Sequence, residues 1–141
     1  IIYYMAPNSQ TYKASNLLKL FESLNLYLNA DHVFEYVDQQ GLEFYIASAL
    51  KPGTFNSTTQ DEIPGLSFVL DLLNVQDALD AFNKMLIFND ALSKKLKGDI
   101  LDEQRQRMTT ATMNEYLKRI KDFHTRVQKK SYGAVPDVTK L

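Results

Sequence analysis

Apolar positions recur three and four residues apart over most of this chain, and that spacing reads first as a series of amphipathic helices. Leu17, Leu20, Phe21, Leu24, Tyr27 and Leu28 share one helical face, with Lys13, Lys19 and Glu22 off it, which predicts a first helix from about Thr11 to Asn29. Asp31 can cap a second helix, along which Val33, Phe34, Val37, Gly41, Phe44, Tyr45 and Ser48 continue the stripe. The rival for this stretch is a hairpin, with strands at 32–37 and 42–47 around Asp38-Gln39-Gln40-Gly41, and the β-branched and aromatic residues suit it. The helical spacing takes precedence here. Lys51-Pro52-Gly53 closes the element in either case, because proline cannot continue a hydrogen-bond ladder.

The Ser/Thr-rich run 54–62 between Gly53 and Pro64 reads as the longest loop, and 66–73 as a short helix entered through Pro64. From Val75 to Lys97 the apolar set is wide enough for a helix central to the core, and Lys94, Lys95 and Lys97 before Gly98 mark its C-terminus. Asp99 can cap a further helix, with a kink or fresh start near Thr112, where Thr112-Met113-Asn114-Glu115 has the form of a capping box. Met113, Tyr116, Leu117, Ile120, Phe123 and Val127 then form a clean stripe, ended by Lys129, Lys130 and Gly133. Ile1 to Ala6 are apolar and precede Pro7-Asn8-Ser9, so they read as an extended arm. The expected architecture is an all-α, up-and-down bundle of four to five helices. It forms one helical domain over 1–141, with an arm at 1–10, a loop at 54–63 and a tail at 134–141.

Composition supports a globular domain: 141 residues, 45% hydrophobic and 23% charged. The absence of cysteine excludes a disulfide scaffold, a thiol nucleophile and cysteine-ligated metal. No apolar run approaches the ~20 residues of a membrane-spanning helix. A first residue other than Met suggests a processed or excised piece, and the compartment stays unassigned. Asn56-Ser57-Thr58 is a glycosylation sequon by pattern alone.

Charge changes the picture more. Residues 1–90 carry four lysines against eleven carboxylates, and residues 91–141 carry twelve Lys/Arg against six, a split of −7 and +6 beneath a whole-chain charge of −1. A basic stretch must meet an anionic partner or fold back onto the acidic half. Lys118, Arg119, Lys121, Arg126, Lys129 and Lys130 flank the last apolar stripe without forming one solid face, and Tyr116 and Phe123 are better used as core than for stacking on bases. Nucleic acid is therefore the poorer reading.

Catalytic constellations are not evident. His32 lies beside Asp31 and three residues before Glu35, a local acid/base or metal cluster in outline only, and His124 stands alone. No glycine-rich phosphate loop and no nucleophile elbow occurs, and no cofactor is implied. The reading is a non-catalytic module for protein–protein interaction or a structural role, with another protein as partner and oligomerisation open. A carrier or sensor of a small apolar ligand between helices is the alternative. Tyrosine, with an apolar ring and a polar tip, suits interfaces. The candidate partner-binding residues are Tyr3, Tyr4 and Tyr12 in the arm and Lys118, Arg119, Arg126, Lys129 and Lys130 near the C-terminus.

Overall fold

The computed structural model describes residues 1–50, 53–55 and 61–139, with the side chains of these except at 124 and 127–139. The elements run β1 (Ile2–Met5), a 3-10 turn (Pro7–Ser9), β2 (Tyr12–Lys13), α1 (Ala14–Ser23), β3 (Tyr27–Leu28), β4 (Phe34–Asp38), β5 (Gly41–Ser48), β6 (Glu62–Ile63), β7 (Gly65–Val69), α2 (Ala78–Ser93), β8 (Asp99–Leu101) and α3 (Thr110–Thr139). The chain divides into two compact units, Ile1–Met108 and Thr109–Leu141. No helix among the described residues is long and apolar enough to cross a membrane.

The all-α bundle does not form. The first unit is mixed α/β, built on a six-stranded antiparallel sheet in the order β3-β4-β5-β7-β1-β8, with a small second sheet of β2 and β6. The extended arm is a strand inside the sheet: β1 pairs with β7 on one side and β8 on the other. Its alternation is visible once the pairing is known, since Ile2 and Tyr4 are buried and Tyr3 and Met5 are half-exposed. The stretch 32–48 takes the hairpin, closed by Asp38 Oδ1 accepting from the Gln40 amide and by Gly41 at φ 101°, a conformation glycine adopts freely. The expected helix at 66–73 is β7, with Leu66 and Phe68 on one face and Ser67 and Val69 on the other.

The first helix stops at Ser23 for a local reason. Asn25 adopts left-handed φ (61°), the Leu26 amide donates to Phe21 O and the Asn25 amide to Glu22 O, a Schellman ending that turns Leu26 back toward Phe21. The next two residues are β3. The 75–97 helix is present as α2, capped by Asp77 accepting from the Asp80 amide at 3.1 Å. Asp99 begins β8 instead of a helix, and α3 starts at Thr110 with Thr109 Oγ1 accepting from the Thr112 amide, so the capping residue is Thr109 and not Thr112. The backbone of α3 runs to Thr139, past Gly133 and Pro136, residues that weaken a helix without forbidding it. The sequon at 56–58 lies outside the described residues.

The core fills one face of the large sheet. Phe21 of α1 meets Phe34 and Phe55 edge-on, with ring centroids 4.9 and 6.2 Å away. Phe88 of α2 packs against Tyr36, Phe44 and Phe68 at 6.0, 5.7 and 6.0 Å, within the range where aromatic pairs add to area burial. A β-bulge falls between the Tyr36–Phe44 and Val37–Leu42 pairs, leaving Glu43 as the extra residue. Bulging turns Glu43 to the same side as Phe44, so a carboxylate is buried beneath α2. Lys84 of α2 answers it at 3.1 Å and also binds Asp38 and, at 3.0 Å, Asp80.

Candidate protein-binding face

Strand alternation that buries one face of the sheet presents the other. Opposed residues in an antiparallel pair share a face, so the registers assign the second face row by row. One row is Tyr27, Glu35, Tyr45 and Val69, and a second is Ala47, Ser67, Tyr3 and Leu101. Met5 lies between Gly65 and Asp99, and beyond the bulge Val37 lies beside Leu42. Each of these side chains is exposed or half-exposed, Tyr27 at 62% and Val37 at 53%. Tyrosines and aliphatic residues dominate the surface, the composition of a contact patch more than of a solvated sheet face.

Charge marks its two ends. At the β3–β4 end, Glu35 accepts from Asn29 Nδ2 at 3.0 Å. Burial, with the negative charges of Glu35 and Asp71, pushes the Tyr45 hydroxyl above its ordinary range, so it remains a protonated donor. At the β8 end, the guanidinium of Arg105 rests 4.7 Å from the centroid of the Tyr3 ring.

The sequence candidates separate on this framework. Tyr3 lies on the open face. Tyr4, its neighbour, is fully buried on the other and donates its hydroxyl to Leu96 O, while Tyr12 donates to Lys97 O. Burial foremost, with Asp99 adding, raises the Tyr4 hydroxyl above the tyrosine range, and burial, then Tyr4, then Asp99 raise that of Tyr12 well above it. The two rings meet at Gly98, where a Cβ would stand 2.4 Å from Tyr4 Cε1 and 2.5 Å from Tyr12 Oη, so the glycine serves close approach and not the left-handed turn expected of it. Lys118, Arg119 and Arg126 are exposed on α3, with Arg119 lying 4.8 Å over the Tyr116 ring and Arg126 Nε donating to Asp122 O. The side chains of Lys129, Lys130 and His124 lie outside the described residues. His32 sits in the β3–β4 turn with φ 59°, held by its amide to Asn29 O. Among the described residues no group of three or more His, Asp or Glu side chains is placed to hold a metal ion.

Sequence reasoning missed Tyr45, Val69, Val37 and Arg105 as surface candidates. For Tyr45 a signal was present in the alternation of 44–48, but only a strand assignment turns it into a face.

Residues 1–119 match the family model described as ZipA, C-terminal FtsZ-binding domain. The chain belongs to this family. It is 29% identical over 129 residues to the cell division protein ZipA of Marinobacter nauticus, covering 87% of this chain and 38% of that protein. Identity reaches 38% over 85 residues with ZipA of Azotobacter vinelandii, 59% of this chain and 30% of that protein, and 37% over 82 residues with ZipA of Aliivibrio fischeri, 57% and 25%. The chain therefore spans well under half the length of these curated relatives.

Membership makes the chain a non-catalytic protein-interaction module whose partner is another protein. The helical-bundle form of that expectation is overturned by the sheet, and the small-ligand carrier is overturned with it. The phenylalanines that suggested a ligand cavity between helices pack on one another across the α1, α2 and sheet interface.

Proposed function

We propose that this chain binds FtsZ through the open face of its six-stranded sheet, and that it does so as part of a cell division protein of the ZipA type. The partner comes from the family description, and the surface from one observation. Tyr3, Tyr45, Val69, Leu101 and Val37 form an apolar patch on the face opposite α1 and α2. An apolar patch rimmed by charge gains free energy by excluding water against a complementary surface, and tyrosine supplies contact area at low entropic cost.

The test is binding of purified FtsZ, read by fluorescence anisotropy, to the parent chain and two variants. Tyr45→Lys places a charge in the middle of the patch, and its affinity is expected to fall by at least about tenfold. Ile87→Lys changes an apolar residue of α2 that is 61% exposed, and is expected to bind as the parent does. The opposite pattern would move the site to the helical face. Thermal unfolding of both variants separates lost contact from lost fold.

A further inference from the structure

The turn after β8 is built to hold one arginine in place. Asp102 is buried, and its Oδ1 accepts from the Gln104 and Gln106 amides, each at 2.9 Å. Its backbone amide donates to Gln106 O at 2.7 Å, and its carbonyl accepts from the Arg105 amide at 2.9 Å. Leu101 bridges Arg107 across the turn, and Met108 donates to Ile100 O, so the loop is tied to β8 on both sides. Within it Arg105 has φ 62°, a left-handed conformation that ordinarily selects glycine or asparagine. An arginine there costs backbone strain that glycine would avoid. What it provides is a guanidinium stacked on Tyr3 at the edge of the open face.

That guanidinium is exposed, and among the described residues no carboxylate lies within ion-pair distance of it. Glu35 on β4 and Asp71 after β7 act on the Tyr45 hydroxyl, and at the β8 end Asp99, opposite Met5, lies 3.9 Å from Arg107. Arg107 thus has a carboxylate beside it, and Arg105 is left facing the open side of the sheet with none among the described residues. A rigid arginine stacked on an aromatic ring retains its planar fork for a carboxylate with less ordering cost than a free one.

We propose that Arg105 is a specificity-determining residue that pairs with a carboxylate of the bound partner. The docked segment then lays apolar side chains over Tyr45, Ala47 and Val69 and brings an acidic residue to the β8 end. This rests on the reading that FtsZ occupies the open face, and it fixes the direction in which the occupant lies.

The experiment measures FtsZ affinity at several salt concentrations for the parent chain, Arg105→Asn, Arg105→Glu, Arg105→Lys and Tyr45→Lys. Asparagine tolerates the left-handed backbone, so Arg105→Asn removes the charge and leaves the turn. It is expected to bind about fivefold more weakly at low salt, with a shallower salt dependence. Charge reversal in Arg105→Glu should weaken binding further, and Arg105→Lys should fall between parent and Arg105→Asn. If Tyr45→Lys loses binding while every Arg105 variant matches the parent at all salts, the role of Arg105 is wrong and the sheet-face reading stands. If Tyr45→Lys binds as the parent does, or the parent does not bind FtsZ, both fail together.

Discussion

Tyr3 and Tyr4 are adjacent, identical in chemistry and opposite in use. Tyr4 is fully buried with its hydroxyl on Leu96 O, and Tyr3 lies half-exposed on the open face under Arg105. The difference comes from the period of the strand alone, which sends successive side chains to opposite faces. Two kinds of selection therefore act on one strand. The covered face is constrained by packing density, where each ring is fixed by its neighbours, and the open face by what it presents to a partner. Mutations should separate the two faces cleanly, with stability moving on one and affinity on the other.

The largest separation is expected at Phe44. Its ring stacks on Tyr36 at 4.8 Å and meets Phe68 and Phe88, and it has no exposed surface. Phe44→Ala should cost about 3–5 kcal/mol of unfolding free energy, read from urea denaturation. Loss of FtsZ binding should follow only the unfolded fraction, so measurement at low temperature or with a stabilising osmolyte should recover it. Persistent loss in a folded Phe44→Ala protein would show that the two faces are coupled.

A smaller effect is expected at Gly98, where the covered face is completed by the absence of a side chain. The Cβ of Gly98→Ala would fall inside contact distance of the Tyr4 and Tyr12 rings, and Tyr4, buried and bonded to Leu96 O, has little room to yield. Displacing either ring also disturbs a hydroxyl bond to the end of the 94–97 turn. The cost should be about 1–3 kcal/mol, again with FtsZ affinity unchanged in the folded protein. Tyr12→Phe alone should cost about 1 kcal/mol or less, since it removes one exposed hydrogen bond and no packing.

How much of this was legible follows from the range of the contacts. Helix α2 was visible because its evidence is local: a wide apolar stripe, and three lysines before Gly98 to mark where it stops. Strand β1 was not, because Tyr4 pairs with Leu66 and Ile100, and nothing in a six-residue apolar run names partners so far along the chain. The β4–β5 hairpin carried its turn signal at 38–41, yet the bulge at Glu43 places two successive residues on one face and breaks the alternation that would have decided for strands. Val33, Phe34 and Val37 happen to fit a helical stripe as well. The candidate site was lost with the strands: Tyr3 was singled out for its chemistry, but Tyr45 and Val69 become surface residues only once a sheet exists. Arg105 had no sequence signal, as its meaning lies in a backbone angle and in the ring beneath it.

The smallest expected effect concerns the one carboxylate that the bulge turns inward. Burial raises Glu43 above the ordinary glutamate range, partly offset by Lys84, while the Lys84 hydrogen bond holds Asp38 below the aspartate range. The signs differ. Asp38 contributes stability that is present above its unfolded range and lost as pH falls through its lowered value. Glu43 is more readily protonated folded than unfolded, so its contribution is full below the ordinary glutamate range and is lost as pH rises through its raised value. In the window between those two glutamate values the parent should lose stability with rising pH. Glu43→Gln, which retains an acceptor for Lys84, should lack that decline. The gap between the two proteins, from urea midpoints at a series of pH values, should open toward neutral pH and close toward acid. It should stay under about 1 kcal/mol, because solvent reaches the cluster through Asp38 and Lys84 and screens it. A gap that does not vary with pH would mean that Glu43 stays ionised across the window, with Lys84 outweighing burial. Affinity for FtsZ should not change at any pH where both proteins are folded, since Glu43 and Lys84 lie on the covered side of the sheet and the proposed contact lies on the other.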